Sequence, residues 1–194
     1  MPEKETAVVV MPVVGFSDWG LGLPLDLEET LSMSVLAESS KQLASTIRHL
    51  VLPPMRFVIG LSESSFFTLD PESVQEALRE IIVSMKESGY RKVVFYNSSP
   101  WNEELLNVAG RDLRIELGMQ MFCINLAGIG LDLMPGRSST REDCQVLGSN
   151  SPVDEAKFVL EKSTGKLVGL LEEVAARPPL ANRGKIPKKE GDEG

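Results

Sequence analysis

The sequence predicts an α/β protein built on a mostly parallel sheet with helices on both sides. Two observations predict it. The first is a continuous apolar, β-branched run, Ala7 to Val14, of the kind found in strands covered on both faces. The second is the repeated order of strand signal, helix signal and strand signal, which requires crossover connections and hence parallel neighbours.

Each element follows from its own residues. After the first strand, residues 30–50 place Leu31, Val35, Leu36, Leu43, Ile47 and Leu50 at helical spacing. That helix is expected to end at His49, with Val51 to Met55 a short strand entering a loop. The next helix begins at Asp70-Pro71-Glu72-Ser73, where Asp70 is an N-cap and Pro71 fits the first turn. Its apolar stripe is Val74, Leu78, Ile81, Ile82 and Met85, and Gly89 stops it. Arg91 to Tyr96 reads as a strand, Asn102 to Leu117 as a helix, and Gln120 to Leu126 as a strand. An irregular, Gly- and Ser-rich stretch follows, then an amphipathic helix from Val153 to Val174. Residues 1–175 are expected to form one domain, and 176–194 a flexible tail containing Pro178-Pro179 and several lysines.

Composition narrows the function. At 194 residues the chain can bury a single well-formed core. A net charge of -8 argues against a nucleic-acid partner, because tracking phosphates takes clustered Lys and Arg. The short basic segment Arg183 to Lys189 reads as solvated tail. No run is long enough to cross a bilayer, and Met1 precedes Pro-Glu-Lys-Glu instead of a basic-then-apolar leader. No membrane association is therefore expected. Cys123 and Cys144 form neither a disulfide framework nor a metal pair, which fits a reducing cytoplasm. Cys144, near Arg141, reads as an ordinary loop cysteine.

In parallel sheets ligands gather beyond the carboxyl ends of the strands, here the loops after Val14 and after Tyr96. The first loop reads Gly15-Phe16-Ser17-Asp18-Trp19-Gly20-Leu21-Gly22-Leu23-Pro24-Leu25-Asp26-Leu27-Glu28. It resembles the signature loop of the creatininase (creatinine amidohydrolase) family, roughly G-S-x-E-x-H-G-x-H-L-P-x-x-x-D, through Gly15, Gly20, Leu23 and Pro24. Val51-Leu52-Pro53-Pro54 resembles that family's L-V-x-P-P, and Gly60-Leu61-Ser62 with the Asp70 helix start resembles its next block. Gly89 to Val94 and then Asn97 to Asn102 are similar to G-[FW]-[RK]-x-[IV]-x-[IV]-N-G-H-x-x-N. The closing helix after Gly148 to Pro152 completes a likeness running from Val8 to Val174. The resemblance implies a three-layer α/β/α fold and an amidohydrolase ancestry. In that ancestry two divalent metals, such as zinc or manganese, activate water against a cyclic or linear amide. It also implies a cytoplasmic homo-oligomer, often a hexamer.

The departures fall on the metal ligands. The family's ligand glutamate aligns with Asp18, and the histidine after it has no counterpart, Trp19 standing in a loop one residue shorter. The histidine before Leu-Pro aligns with Gly22, and the ligand aspartate with Glu28, or with Asp26 if the gap is placed differently. The histidine of N-G-H aligns with Ser99. In the block resembling H-A-G-x-x-E-T-S, Met134 replaces the histidine and Ser139 the glutamate. Glycine, methionine and serine hydroxyls cannot replace imidazole or carboxylate for such cations. The chain's single histidine, His49, falls in none of these positions. No metal cofactor is therefore expected.

Other catalytic arrangements are poorly supported. Ser98 and Ser99 have no histidine base, and Gly128-Ile129-Gly130 lacks the context of a nucleotide loop. Trp19 and Trp101 read first as packing aromatics filling vacated space, and second as stacking surfaces for a planar ligand. The leading expectation is a non-catalytic structural or regulatory subunit of a homo-oligomer, or of a hetero-oligomer with an active paralogue. A second is a pocket for a small cyclic amide or heterocycle, lined by Asp18, Trp19, Asp26, Ser99, Trp101 and Asn102. A third is a divergent amidohydrolase with a carboxylate-based site at Asp18, Asp26, Glu28 and Glu29.

Overall fold

The computed structural model describes residues 2–19, 23–43, 47–59, 65–134, 153–178 and 180. After a short helix α1 (Pro2–Thr6), strand β1 (Val8–Val14) runs through the centre of a five-stranded sheet. On one side it pairs with β3 (His49–Val51) and then β4 (Met55–Arg56), which lie along the same edge. On the other side the order continues to β8 (Lys92–Asn97) and β9 (Gln120–Asn125). Every pairing in this sheet is parallel, in register Val8↔Lys92 and Lys92↔Gln120.

All seven residues of β1 are buried, as its unbroken apolar run requires. Alternate side chains feed two cores because successive strand residues face opposite ways. Val8, Val10, Val94 and Tyr96 meet α2 (Leu27–Leu43) and α5 (Val153–Ala176) through Leu31, Val35, Leu36, Leu167 and Leu171. Val9, Met11, Val13, Val93 and Phe95 meet α3 (Pro71–Glu87) and α4 (Glu103–Leu117) through Val74, Leu78, Ile82, Leu106 and Leu113. The result is the expected three-layer α/β/α arrangement. Each such buried side chain contributes roughly 1.5–3 kcal/mol relative to exposure.

Local signals place most boundaries. Asp70 caps α3, its Oδ1 accepting from Ser73 N at 2.9 Å. Gly89, at φ +96, takes the left-handed turn just beyond that helix. A 3-10 turn, Pro100–Asn102, precedes α4. The segment Leu126–Ile129 is likewise a 3-10 turn, ending at Gly130 with φ +95, so these glycines shape a turn and do not open a nucleotide-binding helix.

One element differs from expectation. Helix α2 spans Leu27–Leu43, and His49 lies on an edge strand opposite Val8 instead of at a helix end. Ile47 and Leu50 have helical spacing, yet His49 to Val51 is also a short strand-forming run. Pairing it with β1 satisfies the backbone of a fully buried strand, and that tertiary gain decides.

Two further pairs flank the carboxyl edge of the sheet. Strand β2 (Phe16–Ser17) pairs antiparallel with β6 (Ser65–Phe66), and β5 (Val58–Ile59) pairs parallel with β7 (Thr68–Leu69). At the amino edge, the Lys92 ammonium donates to the carbonyls of Val174, Ala175 and Arg177 at 3.4, 2.7 and 2.7 Å. Gln120 Nε2 donates to Pro178 O at 2.6 Å. The end of α5 is thereby fastened, and the fastening reaches Pro178. No helix among the described residues is long and apolar enough to cross a membrane.

Candidate functional site

Strands β1 and β8 end side by side, so Gly15 and the Ser98-Ser99 pair leave the sheet at one edge. Ser98 N donates to Val13 O at 3.0 Å across that junction. Asn97 holds the turn, donating from Nδ2 to Ser99 O at 2.8 Å and to Asn125 Oδ1 at 2.9 Å, and accepting from Ser99 N at 3.2 Å. Glu28 enters from the first turn of α2 and is fully buried. Its Oε2 accepts from Gly15 N at 3.1 Å and from Ser98 Oγ at 3.5 Å. A Cβ on Gly15 would collide with Glu28 Oε2 and stand 2.9 Å from both Cβ and Oγ of Ser99. Glycine is required here because a carboxyl and a serine close over the backbone.

The electrostatics follow from this enclosure. Burial pushes the Glu28 carboxyl up from 4.5 to about 7, partly countered by hydrogen bonds from Ser17, Gly15 and Ser98. Trp19 counters it least. Its indole leans toward the carboxyl without reaching hydrogen-bond geometry. Trp19 Nε1, Glu28 Oε1 and Ser99 Oγ are all buried without a hydrogen-bond partner. Trp19 packs against Trp101, ring centroids 5.5 Å apart and tilted 45°, and both join the core of the α2–α5 face.

The structure brings Trp19, Glu28, Ser99 and Trp101 together. It does not bring the other acids to them. Asp18 is exposed on the rim, and Asp26 is exposed immediately before α2. Glu29 points to Arg56, which grips it through Nε and a terminal nitrogen at 2.8 and 2.6 Å. Asn102 is buried but braces the fold, accepting from Ile59 N and donating to Phe57 O, each at 2.9 Å. Gly22, Ser139 and Cys144 lie outside the described residues.

Sequence reasoning missed Ser17 as a partner of Glu28, and it offered no signal: a serine three residues past the strand end at Val14 is ordinary. His49 cannot serve Ser98 or Ser99. It pairs with the first residue of β1, whereas the serines follow the far end of the sheet, roughly 20 Å along a seven-residue strand. Cys123 is half-buried on β9, its thiol pushed up to about 12 by desolvation and by Glu103, so it is inert as a nucleophile at neutral pH.

A tightly held divalent pair needs several imidazole or carboxylate ligands converging within a few ångströms. Among the described residues no group of three or more His, Cys, Asp or Glu could hold a metal ion. Among the described residues, Glu28 is surrounded by hydroxyls, an amide N–H and an indole. These residues do not fit a dinuclear centre.

The profile described as Creatininase: Creatinine amidohydrolase matches residues 1–164. The chain belongs to the creatininase family. Among solved structures, it resembles a protein assigned as a creatinine amidohydrolase from Bacteroides fragilis NCTC 9343. That match has 14% identity and a TM-score of 0.68, covering 90% of this chain and 92% of that one. Creatinine amidohydrolase (creatininase) itself matches at 14% identity and TM-score 0.66, over 89% and 92% of the two chains. A manganese form of creatininase matches at 13% identity with the same TM-score and coverage. At such identities the likeness concerns the fold. No curated protein matches the chain.

Proposed function

We propose that this creatininase-family chain carries the amidohydrolase fold without a working dinuclear centre, and serves as a structural or regulatory subunit of an oligomer. One observation carries the reading: Glu28, the one buried carboxyl among the described residues, is wrapped by Ser17, Gly15, Ser98 and Trp19. A carboxyl whose pKa lies near 7 is protonated for much of the time at neutral pH, and its neighbours cannot ligate zinc or manganese firmly. Without a metal-activated water, an isolated carboxyl is a poor catalyst of amide hydrolysis. A homo-oligomer, or a hetero-oligomer with an active paralogue, in the cytoplasm is the setting we assign to it.

The test is metal retention. Protein incubated with Zn²⁺ or Mn²⁺, desalted and analysed by mass spectrometry should retain far less than one ion per chain. It should also release no product from cyclic amides. Two tightly held ions per chain, with metal-dependent turnover, would overturn the proposal.

A second reading, a pocket that holds a small cyclic amide or heterocycle unchanged, is favoured by the three unpartnered polar atoms at Trp19, Glu28 and Ser99. A planar ligand bearing both a donor and an acceptor would satisfy them beside the paired indoles. Thermal-shift screening with lactams, purines and pterins separates the readings, since a saturable rise in Tm supports only the second.

A further inference from the structure

Gly15, Phe16 and Ser17 close over Glu28 together. Gly15 N and the Ser17 hydroxyl both bond its carboxyl, and Ser17 is buried. Phe16 lies between them, and because successive strand residues face opposite ways its ring turns outward. That ring meets Phe67 edge-on, centroids 5.5 Å apart at 88°. Phe16 and Ser17 also pair with Phe66 and Ser65 across the β2–β6 ladder. Residues 65–69 therefore grip from outside the same three residues that enclose Glu28 from inside.

That grip is slight and strained. The ladders at β6 and β7 are each two residues long, and Val58 N donates to Phe67 O at 3.2 Å. Phe66, Phe67 and Leu69 are largely exposed, so apolar burial does little to fix the segment. Phe67 stands at φ +56, the one non-glycine residue at positive φ among those described. A bulky side chain resists that conformation, and the strain is relieved once the segment lifts. Slight burial and strain both favour local opening here, whereas β1 and β8 are buried throughout.

We propose that residues 65–69 form a strap that opens and closes over the Glu28 cleft, with Phe67 as its hinge. The structure is the closed form. Lifting the strap breaks the β2–β6 pairing, frees Phe16 and lets Gly15 and Ser17 move off the carboxyl. Trp19 Nε1, Glu28 Oε1 and Ser99 Oγ, all buried without a partner, then meet solvent. This inference rests on the pocket reading and deepens it by naming the route through which a small ligand reaches those groups.

Hydrogen exchange followed by NMR tests it on the full chain and needs no ligand. The Trp19 indole N–H has no hydrogen bond to protect it, so its exchange reports how often water enters the cleft. Phe16 and Phe66 stand opposite each other, so Phe16→Cys with Phe66→Cys, in a chain also carrying Cys144→Ser, allows a bridge that holds the strap shut. Oxidation should slow indole exchange by about ten-fold or more, and dithiothreitol should restore it. Phe67→Val decides the matter should the bridge fail to form. Valine removes the ring contact and resists positive φ more strongly. Exchange at the Val58 amide and the Trp19 indole should then rise together by about five-fold or more, while amides of β8 keep their rates. Equal indole exchange in the oxidised and reduced forms would overturn the proposal. So would a Phe67→Val chain in which the Val58 amide speeds up without the indole, or in which neither changes. Flat thermal-shift curves beside a gated indole would dismiss the pocket reading alone, so the two failures are told apart.

Discussion

Glu28→Gln is the sharpest test of how the buried carboxyl is held. In the folded chain its pKa is about 7, against 4.5 when exposed, chiefly because burial disfavours the charged form. The folded state therefore binds more protons than the unfolded state between those two values. Its stability is fully present below about pH 4.5, falls as pH rises toward 7, and is level above that. A difference of about 2.5 units corresponds to about 3 kcal/mol lost between pH 4.5 and 8. Glutamine has the size of the protonated acid, and its oxygen can still accept from Gly15 N, but it never ionises. Urea unfolding of both proteins from pH 4 to 9 should give similar stabilities near pH 4.5. The variant should become more stable by about 3 kcal/mol at pH 8. Taking the difference between the two proteins cancels the titration of other carboxylates. If the variant is equally or less stable at pH 8, the carboxyl is ionised and paired in the native protein, and the account of the site fails. Holding a metal ion would give that result, because glutamine is a weaker ligand.

Two further substitutions probe the frame around the site. Gly15→Ala places a methyl group against Glu28 and Ser99, and should destabilise the protein by about 2–3 kcal/mol in urea unfolding, as overpacking of a filled core does. Lys92→Met leaves the carbonyls of Val174, Ala175 and Arg177 without their shared donor. It should cost about 2 kcal/mol and speed hydrogen exchange in the last turn of α5, while leaving exchange at β8 and α2 unchanged.

Much of this architecture was legible because it rests on local chemistry. The unbroken apolar run at Val8 to Val14 announces a strand covered on both faces, and its side chains do divide between two cores. Asp70 and Pro71 mark a helix start that needs no tertiary partner to be recognised. The candidate site was only half legible. Motif alignment left Glu28 and Asp26 as alternatives for one position, since a single gap moves the register. In the structure Glu28 is buried against Gly15 while Asp26 stays exposed. Asp26 lies in the turn that precedes α2, whereas Glu28 stands on the helix's first turn, so only Glu28 is carried against the sheet edge.

What the sequence by itself determined is the alternation of strands and helices, the parallel sense of the sheet, and which side chains are able to ligate a cation. Tertiary structure alone decided that His49 joins an edge strand, that Trp19 meets Trp101, and that Glu28 is enclosed while Asp26 stays exposed. The reason is physical. Periodicity and capping are encoded within a few residues, whereas desolvation of Glu28 and the pairing of Trp19 with Trp101 depend on which distant segments close over them.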